Sequence, residues 1–93
     1  MFIPTLATPT PTIMPDGTDP TALMKSLYAA ISALQAARMA MMLAYPRERD
    51  YAVEQDFLMA RSMHTSYENW VTGIINSFEN EVAAIQQQLQ DKH

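Results

Sequence analysis

The chain has 93 residues, with ten acidic and six basic side chains and a formal net charge of −4. This balance argues against DNA or RNA as a partner, because phosphate binding requires clustered Lys and Arg. The absence of Cys excludes disulfides and thiolate metal sites, and so short a chain buries little surface on its own. Association with other chains is the means of stabilisation that remains.

Residues 1–18 form a segment rich in Pro and Thr. Proline fixes φ and removes backbone donors, so the segment cannot be helical and is predicted to be an extended arm. Asp16-Gly17 then predicts a turn. The composition is also typical of a disordered tail, but the arm carries Phe2, Ile3, Leu6, Ile13 and Met14. These apolar side chains favour an arm that lies along a neighbouring chain.

The second segment is predicted to be an Ala-rich helix over about 20–44. Thr18 or Asp19 serves as its N-cap, Pro20 is its first residue, and Tyr45-Pro46 ends it. One apolar stripe recurs at helical spacing through Leu23, Leu27, Ile31, Leu34, Arg38 and Met41. A second stripe is made of Ala29, Ala33, Ala36, Ala40 and Ala44. A helix with two such faces is expected to be buried on more than one side.

The third segment is predicted to be a long helix over about 48–90. Its stripe has steps of three and four residues, through Met63, Tyr67, Val71, Ile74, Phe78, Val82, Ile85 and Leu89. The Gln residues from 86 to 90 indicate a polar, fraying end. A hairpin that folds back at Pro46 leaves about 20 Å of stripe, from Phe78 to Leu89, without a partner helix in the same chain. We expect either the N-terminal arm or another subunit to cover it.

The predicted fold class is therefore all-α. Residues 1–18 form an extended Pro/Thr-rich N-terminal arm, and residues 19–93 form a helical hairpin in which a Pro break separates the shorter helix from the long one. No transmembrane helix is expected, because Lys25 and Arg38 interrupt the most apolar stretch. The first residues also lack the charged and apolar regions of a signal peptide. We expect cytoplasmic synthesis followed by assembly into a larger particle or apparatus.

The residues that carry chemistry are few. His64 and Glu68 have i, i+4 spacing, but neither Cys nor a second nearby His completes a metal site, so a surface or interface histidine is the favoured interpretation. The sequence lacks a nucleophile paired with a base, and it also lacks a glycine-rich phosphate loop. We expect no enzyme activity, no cofactor and no metal.

The Met residues near the hairpin turn allow three interpretations. Thioether clusters bind copper in some proteins, and flexible Met surfaces suit binding of varied partners. The favoured interpretation is adaptable core filler where the helices meet, by Met39, Met41, Met42, Met59 and Met63.

Two functional hypotheses follow. The first is a non-enzymatic structural subunit of a homo-oligomeric ring, tube or shell, such as a virion component or a secretion filament. The second is a small helical adaptor or chaperone that binds a different protein through its apolar helix face. The predicted interface residues are Leu27, Ile31, Leu34, Tyr67, Trp70, Ile74, Phe78, Val82, Ile85 and Leu89. The expected partners are copies of the chain itself or other subunits of the same assembly.

Overall fold

A computed structural model describes residues 9–91 of the chain. These residues form two antiparallel α-helices, α1 (Pro20–Leu43) and α2 (Glu54–Asp91), with a one-turn 3-10 helix, Glu48–Asp50, between them. The all-α hairpin predicted from the sequence is confirmed. Expectations for residues 1–8 of the arm lie outside the described residues.

The start of α1 follows the predicted signals. Asp19 is the N-cap, and its carboxylate accepts a hydrogen bond from the backbone N–H of Ala22 at 3.1 Å. Pro20 occupies the first position, where a missing N–H costs nothing. Before the cap, the N–H of Gly17 donates to the carbonyl of Met14 at 3.1 Å and closes the predicted turn. The sequence therefore determines where α1 begins.

The connection between the helices is longer than predicted. α1 ends at Leu43, and α2 begins at Glu54 instead of near residue 48. Arg47 and Tyr51 have extended backbone angles on either side of the 3-10 turn, and Pro46 is buried. Because residues 44–53 run as a linker, they carry the chain away from the end of α1 before α2 starts.

This linker sets the register of the hairpin. The Tyr45 hydroxyl lies 3.4 Å from that of Thr65, Arg38 donates to Thr72 at 3.5 Å, and Gln86 donates to Tyr28 at 3.2 Å. α1 therefore pairs with the part of α2 from about residue 65 onward. The stretch from Phe78 to Leu89 has a partner helix within the chain, contrary to expectation. The overhang is instead the first part of α2, residues 54–64.

The core lies between the two helices, towards the C-terminal end of α2. Leu27, Ile31, Ile75, Val82 and Ile85 are buried together, and Ile85 is fully buried. The side chains packed against this cluster are Ile13, Leu23, Met24, Leu34, Val71, Phe78 and Leu89. The apolar stripe of α1 thus faces α2 as predicted.

The alanine stripe of α1 faces solvent within the single chain, although burial on two sides was expected. Ala29, Ala33, Ala36, Ala40 and Ala44 are all exposed. The expectation fails inside one hairpin because α2 is the helix that packs on α1, and it covers one face.

The hairpin is strongly elongated. Its dimensions are 61 × 22 × 19 Å and its radius of gyration is 18.1 Å, against about 12 Å for a compact domain of this length. Its accessible surface is 6829 Å², against about 5,400 Å² for a monomer of this mass. The chain thus exposes about 1,400 Å² more than a compact monomer would.

Candidate protein-interaction surface

Exposed apolar side chains are concentrated at the overhanging end of the hairpin. Among residues 9–91, the exposed large hydrophobic side chains outside residues 39–70 are Met14 and Tyr28. Those within that range are Met39, Met42, Leu43, Tyr45, Val53, Leu58, Met59, Met63, Tyr67 and Trp70. A concentration of this kind marks an interaction surface more often than scattered apolar residues do.

Four of these side chains share one face of α2. Met59, Met63, Tyr67 and Trp70 recur at steps of four, four and three residues, which places them within about 80° around the helix axis. Their exposed fractions are 60%, 48%, 45% and 52%, in that order. We call these four residues the α2 stripe. It is a row of large side chains that the single chain leaves half-exposed.

Charged residues near the stripe lie mainly on the other side of α2. Glu54, Arg61 and Glu68 are seven residues apart, and about 100° per residue places them roughly opposite the stripe. Arg61 lies over the Phe57 ring, with its guanidinium carbon 5.5 Å from the ring centroid. Asp56 is the charged residue on the stripe face, one turn before Met59. The stripe is therefore an apolar surface with a single negative charge at its start.

The linker packs on the face of α2 next to the stripe and does not cover it. The rings of Tyr51 and Phe57 are 6.0 Å apart, and those of Tyr45 and His64 are 6.2 Å apart. The helical period places Phe57, His64 and Thr65 at least about 60° from the nearest stripe residue. The linker therefore leaves the stripe open.

His64 belongs to a small aromatic cluster. It is half-buried, and its ring lies 5.3 Å from that of Tyr67 and 6.2 Å from that of Tyr45. Within residues 9–91, no three His, Cys, Asp or Glu side chains are grouped so that they could hold a metal ion. The geometry gives His64 a packing role between the linker and the stripe.

The predicted interface residues fall into three groups. Leu27, Ile31, Val82 and Ile85 are buried in the core of the single chain. Leu34, Phe78 and Leu89 are half-buried against that core, and Ile74 is also half-buried. Tyr67 and Trp70 are exposed in the α2 stripe. The hairpin thus brings together two of the ten predicted residues on an open surface.

The prediction that Met residues fill the core near the turn is wrong. Met39, Met42, Met59 and Met63 are 69%, 61%, 60% and 48% exposed. The prediction assumed that the end of α1 meets the start of α2. The linker separates these two segments, and the first turns of α2 extend past α1. Met41 is half-buried, on the stripe of α1 that faces α2.

Gln88 has a role that sequence reasoning missed. The Ile13 N–H donates to Gln88 Oε1 at 2.7 Å, and Gln88 Nε2 donates to the Pro11 carbonyl at 2.8 Å and to the Ala84 carbonyl at 3.2 Å. One carboxamide therefore holds this part of the arm on α2 of the same chain. The run of Gln residues gave no signal that one of them differs from the others.

A groove of about 510 Å³ runs between the helices near the core. It is open to solvent, and core side chains and polar groups share its wall. Its lining residues are Tyr28, Ile31, Ser32, Gln35, Glu79, Val82, Ala83 and Gln86. It is a shallow surface groove between the two helices.

Comparisons with protein-family models, with curated proteins and with solved structures found no match to this chain. Neither α1 nor α2 is both long enough and apolar enough to cross a membrane.

Proposed function

We propose that this chain is a non-enzymatic structural subunit of a homo-oligomeric assembly, held together by burial of helix faces between copies. The observation that carries the proposal is the α2 stripe, which is large, apolar and half-exposed on an overhanging helix. Burial of apolar surface is the main driving force of protein association.

The surface of the whole chain supports the same proposal. The elongated hairpin exposes more surface than a compact monomer of the same mass, which leaves area for contacts with other copies. The exposed alanine stripe of α1 offers a second face of small side chains, on which another helix could approach closely. Two separate faces are what a subunit needs to form more than a simple pair.

The exposed Met side chains support the alternative function, an adaptor or chaperone. Met39, Met42, Met59 and Met63 are flexible and well exposed, as at surfaces that adapt to different partners. The two functions differ in stoichiometry. A structural subunit associates with itself in pure solution, whereas an adaptor remains a monomer or small dimer until its partner is added.

A matched pair of variants tests the proposed function. Tyr67→Glu places a charge in the α2 stripe, and Tyr28→Glu places the same charge at a tyrosine of similar exposure near the other end. Light scattering is expected to show a lower mass for Tyr67→Glu at a concentration where the wild type and Tyr28→Glu remain assembled. Equal masses for all three would contradict the role of the stripe.

A further inference from the structure

We propose that the α2 stripe pairs antiparallel with the α2 stripe of a second copy, around a two-fold axis close to the level of Thr65. This inference rests on the proposed function, since it specifies how two copies meet. Three observations carry it: the spacing of the four residues, the position of the charge on the stripe face, and the side on which the linker packs.

The spacing of the stripe is symmetric in sequence. Met63 and Tyr67 are each two residues from Thr65, and Met59 and Trp70 are six and five residues from it. An antiparallel pair therefore places Met63 opposite Tyr67 and Met59 opposite Trp70. Every level of the contact then joins a thioether to an aromatic ring, a favourable combination. A parallel pair would instead place each residue against its own copy.

The charge on the stripe face also favours the antiparallel arrangement. A parallel pair would bring the two Asp56 carboxylates face to face and align the two helix dipoles unfavourably. In the antiparallel pair the two Asp56 residues lie about 27 Å apart along the direction of the α2 helices. That separation exceeds the screening length of about 8 Å at physiological ionic strength, so their repulsion is negligible.

The linker leaves room for this contact. Tyr45 and Tyr51 pack against α2 near Thr65 and Phe57, beside the stripe, whose four side chains stay 45–60% exposed. Each α1 lies alongside its own α2 from about residue 65 onward, so the two α1 helices lie towards opposite ends of the antiparallel pair. Two copies therefore meet over the first half of α2 without a clash between their α1 helices.

The natural lack of Cys allows a clean cross-linking test. Ser66→Cys and Met63→Cys place a thiol near the proposed axis, whereas Met59→Cys places it about 17 Å from its copy along the axis. Asn80→Cys, on an exposed part of the second half of α2 that belongs to neither proposed contact face, reports random collisions. Each full-length variant is oxidised with diamide at micromolar concentration, and covalent dimers are counted on a non-reducing gel. Light scattering on the same samples gives the assembly state.

The proposal predicts that Ser66→Cys and Met63→Cys form dimers about 1,000-fold faster than Asn80→Cys. The effective concentration of a thiol within a complex is of millimolar order, against micromolar in solution. Met59→Cys alone is expected to stay at the collision rate, but its mixture with Trp70→Cys is expected to cross-link rapidly. The loss of the Trp70 side chain could weaken association and so slow the cross-link between Met59→Cys and Trp70→Cys. In that case the difference in rate between Ser66→Cys, near the two-fold axis, and Met59→Cys, away from it, still tests the proposal.

Other outcomes overturn the proposal in distinguishable ways. Rapid self-cross-linking at residues 59, 63 and 66 alike would show a parallel pair. If every variant cross-links only at the collision rate in samples that light scattering shows to be oligomeric, the copies meet elsewhere. This result would refute the antiparallel pair and would be consistent with the proposed function. Cross-linking at the collision rate in samples that light scattering shows to be monomeric would refute both the antiparallel pair and the proposed function.

Discussion

Replacing Gln88 with Ala should release the described part of the arm from α2. The substitution removes the hydrogen bonds of the side chain to the Ile13 N–H and to the Pro11 carbonyl. A hydrogen bond within a protein contributes about 0.5–1.5 kcal/mol net, so the arm loses about 1–3 kcal/mol of attachment. With a factor of ten for each 1.4 kcal/mol, the population with the arm open rises about 5- to 150-fold.

Hydrogen exchange at the Ile13 amide measures this change directly, because that amide is the donor to Gln88 Oε1. NMR-detected exchange of the Ile13 amide is expected to accelerate by the same factor in Gln88→Ala. Gln90→Ala is the matched control, since Gln90 is an exposed residue on the same turn. Unchanged exchange in Gln88→Ala, or equal acceleration in Gln90→Ala, would refute the attachment of the arm through this carboxamide.

Three further substitutions test the core, the helix cap and the division between folding and assembly. Ile85→Ala changes a side chain with 0% exposure, so it is expected to lower the free energy of unfolding by about 2–5 kcal/mol in urea titrations. Met59→Ala should change that free energy little. Similar losses at both sites would contradict the position of the core. Asp19→Ala removes the N-cap hydrogen bond to Ala22 and should cost about 0.5–2 kcal/mol in thermal unfolding, so an unchanged melting temperature would argue against that cap. Phe78→Asp places a charge against the core and should reduce the helical circular dichroism signal of the chain itself; a fully folded Phe78→Asp variant would show that this side chain faces outward.

The two helices and their facing stripes could be predicted from the sequence because local signals determine them. Asp19 and Pro20 mark the start of α1, and Pro46 prevents its continuation. Leu27 and Ile31 on α1 repeat at helical spacing, and so do Val82 and Ile85 on α2. Periodicity identifies which face of each helix is apolar, and the structure packs those faces together.

The register of the hairpin could not be predicted in the same way. Residues 47–53 contain Arg, Glu and Asp, which favour a helix about as readily as a loop, so periodicity gave no reason to separate them from α2. Their conformation depends on tertiary contacts, such as those of Tyr45 with Thr65 and Tyr51 with Phe57. The linker runs alongside the first turns of α2, so α1 pairs with a later part of that helix, and the overhang lies at the opposite end from the one expected.

The candidate surface was predicted in part for the same reason. The sequence predicts Tyr67 and Trp70 as interface residues, because large aromatic side chains anchor many interfaces, and the structure leaves both exposed. Met59 and Met63 were assigned to the core, since their exposure follows from the register and not from the local sequence. Gln88 could not be singled out, because neighbouring Gln residues differ only in which of them faces the arm.

The mass of the wild-type chain in pure solution tests the central claim most directly. Sedimentation equilibrium over a wide range of protein concentration should give a mass of more than two 10.5 kDa chains, which decreases on dilution. The mass of one or two 10.5 kDa chains at every concentration would contradict the larger assembly and would favour the adaptor function, in which a different protein covers the α2 stripe.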